Sequence, residues 1–188
     1  MQYLSKFFLF LYLTIFISAC NLPSTQETNR PQTTFFDLKG FFKEEAKYLE
    51  EQGVKIQKTI QHNQTKETQT ILPKDWEKEL LLFAESDLNK PSWTDKYVLD
   101  STDRGNGLIL LHYKAIDESL SIQVLDVELK ENAVHSILIV KKIANQVYES
   151  QQHLTYIPRK SYRIKKSQTV TLFDKDTYTI EAKYIYHE

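Results

Sequence analysis

The 188-residue sequence sets 24 Lys and Arg against 25 Asp and Glu, a net charge of −1 at pH 7 with neutral histidines, which argues against nucleic acid as the main partner. A single cysteine, Cys20, excludes an intrachain disulfide and any site built from several thiolates. Stability must then come from packing, and 11 Tyr and 10 Phe are the side chains suited to it, because aromatic rings bury large areas.

Residues 1–6 hold one positive charge, Lys6, and residues 7–17 are apolar apart from Thr14. Ser18 and Ala19 follow as small residues. A charged start, a short apolar middle and a small-residue cleavage site are the layout of a secretory signal peptide. The apolar stretch falls short of the roughly 20 residues that a membrane-spanning helix requires. Its last four residues, Ile17-Ser18-Ala19-Cys20, resemble the lipobox of bacterial lipoproteins. That resemblance covers the first 20 residues. It implies that residues 1–19 are a lipoprotein signal peptide, and that Cys20 becomes the first mature residue and carries diacylglyceryl and palmitate-type acyl chains. Two or more chains give stable attachment where one does not. Asn21 stands where the resemblance would place Asp for inner-membrane retention, which points to the outer membrane, with either the periplasmic or the surface face open. Residues 20–34 then form the lipidated cysteine and a polar, flexible tether with Pro23 and Pro31.

Residues 35–188 are long enough for one domain with a real core. A first helix is expected over about 38–52. Asp37 is the N-cap, Phe36 and Phe41 form a hydrophobic staple, and Gly53 is the stop. Val54, Ile56 and Ile60 alternate with polar residues as in a strand, and His62-Asn63-Gln64 turns the chain into a polar strand over 65–71. A second helix is expected to begin near Pro73, to bury Trp76, Leu80, Phe83 and Ala84, and to end near Asn89 before Pro91. Strands are then expected near 96–102, 108–116, 119–129, 134–143, 146–157, 161–166, 168–173 and 177–186. Short polar joints favour antiparallel hairpins, because parallel pairing needs long crossovers. Along 119–129 the apolar parity flips once, which predicts a β-bulge near Val124. Strands 108–116 and 134–143 are apolar on both faces, so a curved sheet, a second layer, a partner or an apolar ligand must cover them.

The sequence contains no nucleophile elbow, metalloprotease, dinucleotide-binding or phosphate-loop signature. No catalytic residue, metal site or cofactor is therefore expected. The polar run 100–107 reads as a hairpin end rather than a calcium loop. His112 and His135 could meet in a folded sheet, although neither lies at ligand spacing from another histidine. The one concentration of charge is Arg159, Lys160, Arg163, Lys165 and Lys166, a candidate anion or partner patch, for which a charged edge strand is the plainer explanation.

The expected fold is thus α+β, two N-terminal helices packed on a curved, mostly antiparallel meander of about seven to ten strands. In layout the chain resembles small lipoproteins of the Bacteroidota. The helix-plus-meander plan is also similar to half-barrel lipoprotein-trafficking proteins, an analogy of fold alone. The expected function is a lipid-anchored, non-catalytic binding or assembly module of the cell envelope. The alternative is a carrier or sensor of lipid or another apolar ligand. Its expected partners are the membrane, through the covalent lipid, and an envelope protein or apolar ligand.

Overall fold

A computed structural model describes residues 35–171 and 175–187, so the lipobox and Cys20 lie outside the described residues. Helix α1 (Leu38–Glu51) begins at Asp37, whose side chain accepts the Gly40 N–H. The Phe36 and Phe41 rings lie 6.0 Å apart across this cap, as the staple requires. A second carboxylate from a distant segment reinforces it, since Asp87 Oδ1 accepts the Leu38 N–H at 3.1 Å. The chain leaves α1 through Gly53, at φ +58°.

Strands β1 (Lys55–His62) and β2 (Thr65–Ile71) form a hairpin whose turn places Asn63 at φ 51°. The expected second helix does not form as one unit. Asp75 caps a single turn, α2 (Trp76–Glu79), the backbone breaks at Leu80 (φ −97°, ψ 4°), and a second turn, α3 (Leu81–Ala84), follows. The interruption turns Trp76, Leu80, Phe83 and Leu88 all into the core at no more than 1% exposure. Burial of four large apolar groups outweighs the few helical bonds lost. A 3₁₀ turn (Pro91–Trp93) leads to the meander: β3 (Tyr97–Asp103), β4 (Leu108–Ala115), β5 (Ile122–Lys130), β6 (Ala133–Ala144), β7 (Tyr148–Ile157), β8 (Ser161–Val170) and β9 (Asp176–Ile185). The two strands expected at 161–166 and 168–173 are one, because Ser167 continues the β8 ladder opposite Gln151 and Thr177.

All nine strands join one antiparallel open sheet in the order β2-β1-β9-β8-β7-β6-β5-β4-β3, a mainly β fold. The bulge expected near Val124 is present as a register shift between Ile122 and Val124, and a second shift lies between Glu128 and Leu129. The helical segments pack on one face of the sheet, called the inner face below. Their contacts reach from Lys58 on β1, through Glu79, to Tyr113 on β4, whose ring lies 5.8 Å from that of Phe35. Six strand spacings separate those strands, about 29 Å. At the centre, Tyr156 on β7 meets Phe42 at 4.8 Å, Phe83 at 5.7 Å and Phe41 at 6.1 Å. Among the described residues no second layer covers the outer face. There Leu110, Val124, Leu138 and Val140 sit among polar neighbours rather than under another element, and only Leu110 is fully buried. Among the described residues no helix is long and apolar enough to cross a membrane.

Candidate binding ledge on the inner face

Strand register sorts the inner face into rows that run across the sheet. One row reads Lys58, Ala182, Tyr162, Tyr156, Ile137, Val127, Leu111 and lies beneath the helical layer. The next reads Ile60, Ile180, Ile164, Leu154, Ile139, Leu125, Tyr113. It passes from burial at Tyr113, Leu125, Ile139 and Leu154, through half-buried Ile164 and Ile180, to 37% exposure at Ile60, so coverage by the helical layer falls away towards β1. The third row is polar: His62, Tyr178, Lys166, Gln152, Lys141, ending at Ile122. Asp176, Gln168, Ser150 and Ile143 follow it. These last two rows form a ledge beyond the helices.

At one end the ledge is internally satisfied. His62 Nε2 meets Asp176 Oδ1 at 2.7 Å, and its ring stacks on Tyr178 at 4.1 Å. Asp176 also accepts Gln168 Nε2 at 3.3 Å. Desolvation opposes ionisation of Asp176, but hydrogen bonds from His62, Tyr178 and Asn63 hold its carboxyl below the usual range. The middle of the ledge is not satisfied. Ser150 is 3% exposed and its hydroxyl has no hydrogen-bond partner; nor has the buried side-chain oxygen of Gln152. Lys141 and Lys166, the cross-strand neighbours on either side of Gln152, join no ion pair among the described residues. Burial holds the Lys141 amine below its usual value; Glu85 opposes that shift and Lys90 adds to it.

Lys141 also lines a cleft of about 660 Å³ between the sheet and the helical layer, together with Lys39, Glu85, Lys90, Ser121 and Ile122. The volume falls in the range of small-molecule sites. Asp87 and Asn89 border the same cleft but are engaged elsewhere. Asp87 holds the start of α1, and Asn89 bonds the backbone of Phe35 and Phe36. Lys90 lies over the Trp93 ring at 3.9 Å.

The basic residues singled out in the sequence do not share a surface. Arg159, at φ 57° in the β7–β8 turn, stacks on Tyr48 at 4.1 Å and stands 3.7 Å from Glu45. Lys160 is exposed in that turn. Arg163 is on the outer face, paired with Glu181 at 2.9 Å. Lys165 is beside it on that face, opposite His153 and Thr179. Lys166 alone joins the inner ledge. A strand alternates its faces, so a run of basic residues along β8 is divided between them. Lys141, Gln152 and Ser150 were not singled out. The available signal was the break in the inner-facing set of β6, Ile137, Ile139, Lys141, Ile143, where a lysine interrupts an apolar series.

On the outer face His112 Nδ1 stands 2.5 Å from Asp126 Oδ1, and Ser136 donates to Glu128 at 2.7 Å. His135 is exposed and does not join His112: its neighbour Ser136, not His135, faces Glu128 across the ladder. Among the described residues no three His, Cys, Asp or Glu side chains are grouped to hold a metal ion. No family model matches the chain, and neither a curated protein nor a solved structure does so.

Proposed function

We propose that the protein is a lipid-anchored cell-envelope module that works by binding, tethered through Cys20 at the outer membrane, and that the inner ledge of its sheet is the binding surface. The observation that carries this reading is the contrast within one sheet face. The helical layer fills one half with interlocking aromatic rings, and the other half is left partly uncovered and carries Lys141 and Lys166, which join no ion pair among the described residues. Two amines without ion-pair partners among the described residues, one of them lining a cleft of small-molecule size, favour an external partner. The His112–Asp126 pair lies on the other face, away from both the ledge and the cleft, so the reading assigns no catalysis to it. The N-terminal leader and lipobox motivate the tether, and a curved sheet around the helical layer would make the ledge concave.

A photo-crosslinking residue placed in living cells at Ile143, on the ledge, is expected to give a discrete adduct that the same residue at Lys165, on the outer face, does not. Adducts from Lys165 alone would refute the ledge as the binding surface. Cys20→Ala is expected to move the protein from the membrane to the soluble fraction; retention of that variant after a high-salt wash would refute the tether. The partly exposed row Ile60, Ile180 and Ile164 favours a second reading, carriage of an apolar ligand. Reproducible lipid adducts in native mass spectrometry of the purified protein would select it.

A further inference from the structure

Strand register defines two ends of the sheet. One end collects the start of β3, the close of β4, the start of β5 and the β6–β7 turn, because Tyr97 pairs with Ala115, Lys114 with Val124, Ile122 with Lys141 and Ala144 with Glu149. Among the described residues six large apolar side chains are at least half exposed: Leu72, Val98, Leu99, Ile116, Ile143 and Val147. All but Leu72 are at this end. Ile143 belongs to the ledge, and the other four form a band from the β3 edge to the β6–β7 turn, three to four strand spacings or about 14–19 Å. Apolar residues exposed singly need no explanation, whereas a band of them marks an interaction surface. The lysines beside it pair locally, Lys96 with Asp95 and Lys142 with Glu149. Asp117 and Glu118 follow Ile116, so the band offers an anionic partner no net attraction, and an apolar occupant fits it.

The chain enters the domain at the same end. Phe35, the first described residue, packs its ring against Tyr97 at 5.9 Å and Tyr113 at 5.8 Å, and its amide donates to Asn89. The tether reading joins this point to lipid on Cys20 through residues 21–34, a link that reaches at most about 50 Å. Turning the far end of the sheet to the membrane would require the link to run back along strands of 10–12 residues, about 33–40 Å, and would use most of that reach. The near end needs none of it. We propose that this end of the sheet, through Val98, Leu99, Ile116 and Val147, rests in the lipid surface to which Cys20 is tethered. This inference rests on the tether and adds the orientation of the domain. A contact of this size is weak alone, but the tether makes it intramolecular and supplies a high effective concentration. Lys141 lies three residues before the end of β6 at Ala144, so docking holds its amine about 10 Å from the lipid, and the ledge opens beside the membrane.

The test uses the full, lipidated chain in phosphatidylcholine vesicles. With Cys20 acylated, an introduced cysteine is the single free thiol and takes a nitroxide label. Access of the label to lipid-soluble oxygen is compared with its access to a water-soluble nickel chelate. Labels at Ile116→Cys and Val147→Cys are expected to show an oxygen-to-nickel ratio severalfold above that of Leu72→Cys and Ile157→Cys at the far end. Ile116→Asp is expected to bring the Val147→Cys ratio down towards the far-end value, whereas Ile157→Asp leaves it unchanged. Equal ratios at the two ends, in protein that still floats with the vesicles, would overturn the docking and leave the tether standing. Failure to float would overturn the tether and the docking with it. Spin–spin broadening between Val147→Cys labels without a raised ratio would mean that this end meets a second copy of the chain, and would also overturn the proposal.

Discussion

Tyr156 and Glu45 give the sharpest test of how the core is held. Glu45 is 6% exposed on the buried face of α1, and Tyr156 donates its hydroxyl to Glu45 Oε2 at 2.8 Å. The partner at the other oxygen, Arg159, is 3.7 Å away and mostly in solvent, so the tyrosine is the closer of the two. Tyr156→Phe keeps the ring that packs on Phe42 and Phe83 and removes only the donor. A hydrogen bond to a charged group contributes about 1.5–3 kcal/mol, so a loss of about 2 kcal/mol is expected. For a domain of this size that lowers the melting temperature by about 4–8 °C. In a Glu45→Gln background the acceptor is retained but uncharged, and the cost of Tyr156→Phe should fall to about 1 kcal/mol. In Glu45→Leu it should approach zero. Urea unfolding reports this cleanly through tryptophan fluorescence, since Trp76 is 1% exposed and 5.4 Å from the Tyr184 ring. An unchanged cost of Tyr156→Phe across all three backgrounds would refute the argument, because the hydroxyl would then act through something other than Glu45.

Three further outcomes are expected. Burial pushes the Tyr97 hydroxyl up to about 12 and raises Tyr156 and Tyr162 further. Groups whose pKa is higher folded than unfolded favour the fold below the unfolded value of 10.0 and stop doing so as pH climbs towards the folded value. Stability should hold to about pH 9 and fall beyond 10 by up to about 4 kcal/mol per pH unit for the three groups, with tyrosinate absorbance at 295 nm rising together with unfolding. A urea midpoint unchanged from pH 8 to 11.5 would contradict this. At the β1–β2 turn, Asn63 combines positive φ with side-chain bonds to the Thr177 amide and hydroxyl. Asn63→Gly should cost about 1 kcal/mol for the lost bonds and Asn63→Ala about 2 kcal/mol, the excess measuring the strain of a left-handed alanine. Asp87→Ala removes the remote cap on Leu38 and should cost about 1–2 kcal/mol in urea titrations, at least as much as Asp37→Ala at the local cap.

Legibility in the sequence followed the range of the interactions. Helix α1 was readable at both ends because Asp37, the Phe36–Phe41 staple and Gly53 act within a few residues of one another. The same holds for the turn at Asn63 and for the bulge at Val124, which a single parity flip announces. The segment 73–89 reads as one helix because its spacing of Trp76, Leu80 and Phe83 is helical, while the break at Leu80 is set by the core that Leu88 must also reach. The remote cap from Asp87, 49 residues from Leu38, carries no local signature. The ledge was illegible for a related reason. Ser150 and Gln152 lie in an ordinary polar stretch, and only the register of β6, β7 and β8 places Gln152 between Lys141 and Lys166. The charge run at 159–166 was conspicuous in one dimension and is divided between two faces and a turn in three.

The placement of β1 beside β9 has a consequence for biogenesis. Lys55 pairs with Ile185, so one of the earliest segments of the domain to be made completes its ladder against one of the last. Until β9 emerges, β8 is an open border and the β1–β2 hairpin has nowhere to dock. Such long loop closures slow folding. The domain therefore waits, incomplete, for its own C-terminus. Shortening the chain by β9 removes the seam that joins its beginning to its end.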